Sequence, residues 1–92
     1  MSLPYVGDSI LVRNKSNHDI QCFCSKYSNN DGSEAWFNLR PDYERWNRNG
    51  WDLVAFKNSG DTQRAGVYIN ARGKTTYITF HSFDKIDVQP SE

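Results

Sequence analysis

Trp46-Asn47-Arg48-Asn49-Gly50-Trp51-Asp52 sets two indoles on either side of a strong turn signal, with amides, a guanidinium and a carboxylate between them. Asn-Gly favours the two-residue β-hairpin turn, because both central residues of that turn take φ > 0. If Asn49-Gly50 is such a turn, Arg48 faces Trp51 and Asn47 faces Asp52. Side chains alternate along a strand, so Trp46, Arg48, Trp51 and Leu53 then share one face. Arg45, Asn47, Asp52 and Val54 share the other. A looser four-residue turn pairs Trp46 with Trp51 instead. On either register, rings and planar hydrogen-bonding groups crowd one end of a hairpin running from Tyr43–Arg48 into Trp51–Lys57.

The flanking sequence has the same character. Ser9–Arg13 is rich in β-formers and ends in the polar cluster Asn14–Asp19, read as a turn although Asn14-Lys15-Ser16 matches the glycosylation sequon. Ile20–Tyr27 alternates, with Ile20, Cys22 and Cys24 expected inward and Phe23 on the face needing cover. Ser28–Ser33 reads as a mobile loop tip. Glu34–Leu39 forms the next strand, with Trp36 and Asn38 on one face and Phe37 and Leu39 on the other. Pro41 stops it, since proline cannot donate to a ladder. Asn58–Thr62 is a loop. Gly66–Asn70 and Thr75–Phe80 are expected to pair as a hairpin across Ala71–Lys74, and Asp84–Val88 to add a charged edge strand.

No segment repeats an apolar residue at helical spacing, and turn signals recur roughly every 8–12 residues. The fold class is therefore all-β: one small domain over residues 1–92, an antiparallel sandwich or barrel of about six to eight short strands. Of the three tryptophans, Trp36 and Trp51 are expected to be partly buried and Trp46 more exposed.

Composition narrows the function. The 92 residues carry 11 basic and 11 acidic side chains, a net charge of zero. That balance argues against a dedicated nucleic-acid binder and against electrostatic attachment to anionic membranes. No apolar run approaches the roughly 20 residues of a membrane helix, and Met1–Tyr5 lacks the pattern of a leader, so the expected location is the cytosol. Aromatics make up 14% of a chain that is only 37% hydrophobic, so apolar surface is concentrated in a few rings. Cys22 and Cys24 are too close along one strand for an easy disulfide and read as two buried thiols. Neither cysteine nor histidine spacing suits a metal. No nucleophile elbow or phosphate loop is present, so the chain is read as a non-catalytic binder without a cofactor. Asp42 and Glu44 are read as a solvated rim.

Sugars offer polarised C–H patches, which suit aromatic faces, and fans of hydroxyls, which suit planar donors and acceptors. The candidate carbohydrate site is therefore Trp46 as stacking platform, Arg48, Asn47, Asn49 and Asp52 as hydroxyl partners, and Trp36 with Asn38 as a neighbouring wall. If Trp46 is core, the loops at Asn29–Asp31 and Asn58–Asp61 are the next place to look.

Several runs also carry a resemblance: Ser16-Asn17-His18-Asp19-Ile20, Lys26-Tyr27-Ser28, Arg64-Ala65-Gly66-Val67-Tyr68 and, above all, Trp46–Asn58. These resemble small intracellular proteins of mushroom-forming fungi, the lectin family typified by the α-galactosyl-binding protein of Lyophyllum decastes. The resemblance implies a β-rich fold, a homodimer, binding of glycans ending in α-galactose, and a defence association; it assigns no binding residue. A second likeness, in the layout of Val12–Ser16, Leu39-Arg40-Pro41 and Arg48…Trp51, is to the β-domain of the von Hippel-Lindau protein. It implies a peptide-binding module, although no helical adaptor segment follows the β-region.

Overall fold

The computed structural model describes residues 8–90; the Met1–Tyr5 stretch lies outside the described residues. Eight strands are present: β1 (Ser9–Asn14), β2 (Ile20–Cys24), β3 (Phe37–Leu39), β4 (Glu44–Asn47), β5 (Trp51–Asn58), β6 (Arg64–Asn70), β7 (Thr75–Ser82) and β8 (Lys85–Pro90). They form two four-stranded sheets, ordered β4-β1-β7-β8 and β3-β2-β5-β6, packed as a small β-sandwich. All pairings are antiparallel except β1 with β7, which run parallel. No helix long and apolar enough to cross a membrane occurs among the described residues.

Alternation builds the core. Ile10 and Val12, Ile20, Cys22 and Cys24, Val54 and Phe56, and Ile78 and Phe80 all point between the sheets and are buried. Phe56 and Phe80 meet across the sandwich with ring centroids 4.9 Å apart. Phe23, on the outer face, receives its cover from Trp36 at 5.4 Å. The two thiols are free and buried, as the parity of β2 requires.

The central hairpin does not form. β4 pairs with β1 in one sheet, whereas β5 pairs with β2 and β6 in the other. Asn49-Gly50 is a crossing between sheets. The positive-φ positions among the described residues are Asp8, Asn17, Asp61 and Gly73, so neither Asn49 nor Gly50 adopts the conformation that the two-residue turn demands. The facing pairs Arg48–Trp51 and Asn47–Asp52 are lost with it. Trp46, Arg48, Asp52 and Val54 point inward together, and Trp51 points out.

A second expected hairpin also becomes a crossing, since β6 and β7 belong to different sheets. The two crossings run side by side, with the Ala71 amide donating to the Gly50 carbonyl at 3.0 Å. True hairpins join β5 to β6 and β7 to β8. In the first of these, the Asn58 side chain accepts the amides of Thr62 and Gln63 and so fixes the loop. The strand expected over Glu34–Leu39 shortens to β3, and the edge strand near the C-terminus forms as β8.

Candidate functional site

The Trp46–Asp52 segment leaves one sheet and enters the other, and this places its polar side chains in the seam. Arg48 extends the β4 ladder by donating its amide to the Asp8 carbonyl, while its side chain crosses to the opposite sheet. There Nε donates to the Ser25 carbonyl at 2.6 Å. Nη2 donates to the carbonyls of Ser33 (2.7 Å) and Cys24 (3.3 Å), and Nη1 to that of Asn47 (2.8 Å). Arg48 is fully buried. A buried guanidinium must keep its hydrogen bonds, and here backbone carbonyls supply them.

Asp52 is buried as completely. Its carboxylate accepts from the hydroxyls of Ser25 and Ser28 and from the Ser28 amide. The Ser25 hydroxyl in turn accepts the Leu53 amide, and the Ser28 hydroxyl accepts the Asn49 amide. Arg48 and Asp52 therefore order the long connection between β2 and β3. Sequence reading treats part of that connection, Ser28–Ser33, as a mobile tip. In the structure it is braced further: the Gly32 amide donates to the Asn29 carbonyl, and the Asn29 side chain donates to the Asn47 carbonyl at 3.0 Å.

This braced loop forms one wall of a cleft of about 400 Å³, a size in the ordinary range for small-ligand sites. The other walls are the edge strands β3 and β4, one from each sheet. Phe37 on β3 and Trp46 on β4 approach to 6.2 Å between ring centroids at a tilt of 59°. Phe37 is 41% exposed and Trp46 only 7%, so the accessible ring belongs to Phe37. Asn38, Asn47 and Asp31 line the same cleft. Alternation puts the Asn38 side chain on the sheet face opposite Phe37 and the Asn47 side chain on the face opposite Trp46, so the two amides belong to the outer rim of the cleft. Glu44 also lines the cleft and is paired with Arg40 at 2.9 Å.

Of the seven residues expected to bind a ligand, Trp46, Asn47, Arg48 and Asn38 do meet at this cleft. Trp46 and Arg48 form buried floor, so Trp46 offers no open stacking face and Arg48 has its polar edge turned to carbonyls. The remaining three lie elsewhere. Asp52 is enclosed by serines. Asn49 lines a small neighbouring hollow with Asp8 and Ser28. Trp36 lies on the outer face of the second sheet, half-buried, with the Lys57 ammonium 4.4 Å and the Arg64 guanidinium 5.5 Å from its ring. Sequence reading places Phe37 on a strand but in no site. The one signal that could have singled it out is its parity with Leu39 at the end of a strand stopped by Pro41.

The thiols sit just behind this seam. Burial pushes Cys24 up to about 12, against the lowering effect of the Arg48 charge, and it drives Cys22 well upward too. Both stay protonated at neutral pH. Among the described residues, no group of three or more His, Cys, Asp or Glu side chains is placed to hold a metal ion.

Comparison with known protein families, curated proteins and solved structures finds no match to this chain.

Proposed function

We propose that this protein is a non-catalytic carbohydrate-binding module of the lectin type, taking terminal galactose, in α linkage, in the cleft between β3 and β4. The observation that supports it best is the company Phe37 keeps. One accessible aromatic ring stands in a cleft lined by Asp31 and rimmed by Asn38 and Asn47, beside a loop already fixed by Arg48 and Asp52. The Phe37 ring covers the C–H patch of a pyranose, Asp31 answers its hydroxyls, and Asn38 and Asn47 on the rim meet the parts of the glycan that extend beyond the cleft. Because the walls are braced beforehand, little ordering opposes binding. The galactose preference, the homodimer and a role in fungal defence come from the resemblance of Trp46–Asn58 to the mushroom lectins. The two unpaired, buried thiols suit a reducing compartment such as the cytosol.

A shallow site of this kind holds one sugar weakly, with a dissociation constant on the order of a millimolar, or about 4 kcal/mol. Two sites on a dimer recover strength on clustered glycans through effective concentration. A glycan array probed with the wild type and with Phe37→Ala tests the proposal. Signals on α-galactosyl glycans that vanish in Phe37→Ala are expected. Silence across the array, or signals indifferent to Phe37→Ala, would remove the cleft as a sugar site.

A further inference from the structure

On the outer face of the first sheet, three neighbouring strands line up Arg13 (β1), Thr79 (β7) and Asp87 (β8) in register. The adjacent row places Tyr77 beside Gln89. With Tyr43 and His81 these residues enclose a hollow of about 190 Å³. This is below the usual range for drug-sized ligands, so its occupant must be small.

The charges in this hollow are not matched in the obvious way. Asp87 Oδ2 lies 2.9 Å from His81 Nε2 and is thereby engaged. Arg13 is held on two sides instead: Nε donates to the Thr79 hydroxyl at 3.0 Å, and the guanidinium carbon lies 4.7 Å from the centre of the Tyr43 ring. Tyr43 is itself fixed edge-on against Tyr77 at 5.4 Å. Among the described residues no carboxylate lies within ion-pair distance of Arg13, and its Nη edge has no hydrogen-bond partner. A half-buried guanidinium that is immobilised by a ring and a hydroxyl, with its terminal edge unmatched, is prepared for a planar anion that can accept two parallel hydrogen bonds.

We infer that this hollow is a second binding site, specific for a small carboxylate-bearing ligand of monosaccharide size. Arg13 takes the carboxylate, the Tyr43–Tyr77 ring pair forms one wall beside the ligand body, and the Gln89 amide meets its remaining polar groups. The inference does not depend on what the β3–β4 cleft binds.

The test is a ¹H–¹⁵N correlation titration of the ¹⁵N-labelled full chain with sodium glucuronate, with glucose as the neutral counterpart at equal ionic strength. Glucuronate is expected to shift the Arg13 side-chain Nε–H and the amides of Tyr77, Thr79 and Gln89, while glucose leaves them in place. Arg13→Gln should weaken glucuronate about tenfold or more, and Gln89→Ala, at the exposed end of β8, serves as a second variant should Arg13→Gln fold poorly. Equal shifts with glucose, unaltered glucuronate binding in the folded variants, or shifts scattered over Lys15, Lys74 and Lys85 without the Arg13 cluster would overturn the inference.

Discussion

Arg48 and Asp52 hold the same residue without forming an ion pair with each other: Arg48 Nε donates to the Ser25 carbonyl at 2.6 Å, and the Ser25 hydroxyl donates to Asp52 at 2.8 Å. One side chain arrives from the end of β4 and the other from β5, so a single loop residue ties the two sheets together at this end. Removing either partner strands buried polar groups, which cost about 1–3 kcal/mol each when unsatisfied. Arg48→Ala leaves carbonyls of Cys24, Ser25 and Ser33 without their donor and is expected to destabilise the fold by about 3 kcal/mol or more. Arg48→Lys should recover little, because an ammonium cannot reproduce the planar fork. Urea denaturation measures both. A loss below about 1 kcal/mol for Arg48→Ala would show that the loop does not depend on it.

Gly32 lies against the same guanidinium. A Cβ there would come within 2.8 Å of Arg48 Cζ. The arginine tip is long and flexible in principle, but four carbonyls hold it in place here. Gly32→Ala should therefore reproduce part of the Arg48→Ala destabilisation. The two effects should also fall well short of additive in the double variant, because they act through one contact.

The tryptophans divide by parity. Trp46 is enclosed in the core, and Trp46→Ala should cost about 3–5 kcal/mol, as expected for loss of a large buried aromatic. Trp51 is 53% exposed and stacks on Tyr68 at 5.1 Å with 25° between the rings. That pair sits on the sheet surface, so Trp51→Ala should cost no more than about 1.5 kcal/mol. Thermal or chemical melts of the two variants side by side decide the matter. The opposite ranking would mean that the sheet assignment of this segment is inverted.

This ranking reverses the expectation from sequence, and the reason is instructive. Strand parity was readable wherever a run stayed within one sheet: Ile20, Cys22 and Cys24 point inward, Phe23 points out and finds Trp36, and β8 forms an edge. The all-β class followed from the same periodicity. What local sequence does not encode is whether a turn returns the chain to its own sheet or passes it to the other. Asn49-Gly50 carries the chemistry of a hairpin turn yet serves as a crossing, and this exchanged the roles of Trp46 and Trp51 while turning Asp52 inward. The same ambiguity at Ala71–Lys74 hid the parallel pairing of β1 with β7, which joins residues distant in sequence. The cleft was half legible: Asn38 and Asn47 were read from their chemistry, but Phe37 became the accessible ring only because two edge strands from different sheets meet there.

The thiols give a pH prediction. The Cys24 thiol is raised from an ordinary value of 9.0 to about 12 in the fold, chiefly by burial, and Cys22 moves the same way. Below about pH 9 both the folded and unfolded chains keep these protons, and the stabilisation is fully present. Above it the unfolded chain releases them while the fold does not, so stability falls by up to ~1.4 kcal/mol per pH unit per thiol until the folded thiols ionise. Unfolding free energies measured from pH 8 to pH 11 should decline more steeply in the wild type than in Cys22→Ala/Cys24→Ala. A thiol reagent at neutral pH should react slowly before denaturation and with two groups after it. Parallel alkaline slopes, or fast native labelling, would contradict this.

Sugar binding in the β3–β4 cleft is tested most directly by a ¹H–¹⁵N correlation titration of the native protein with methyl α-galactoside. The predicted result is saturable shifts in the millimolar range, centred on Phe37, Asn38 and Asn47 and on Asn29–Ser33 of the braced loop, and absent in Phe37→Ala while that variant keeps a folded spectrum. No shift at saturating sugar, or shifts that avoid these residues and persist in Phe37→Ala, would contradict it.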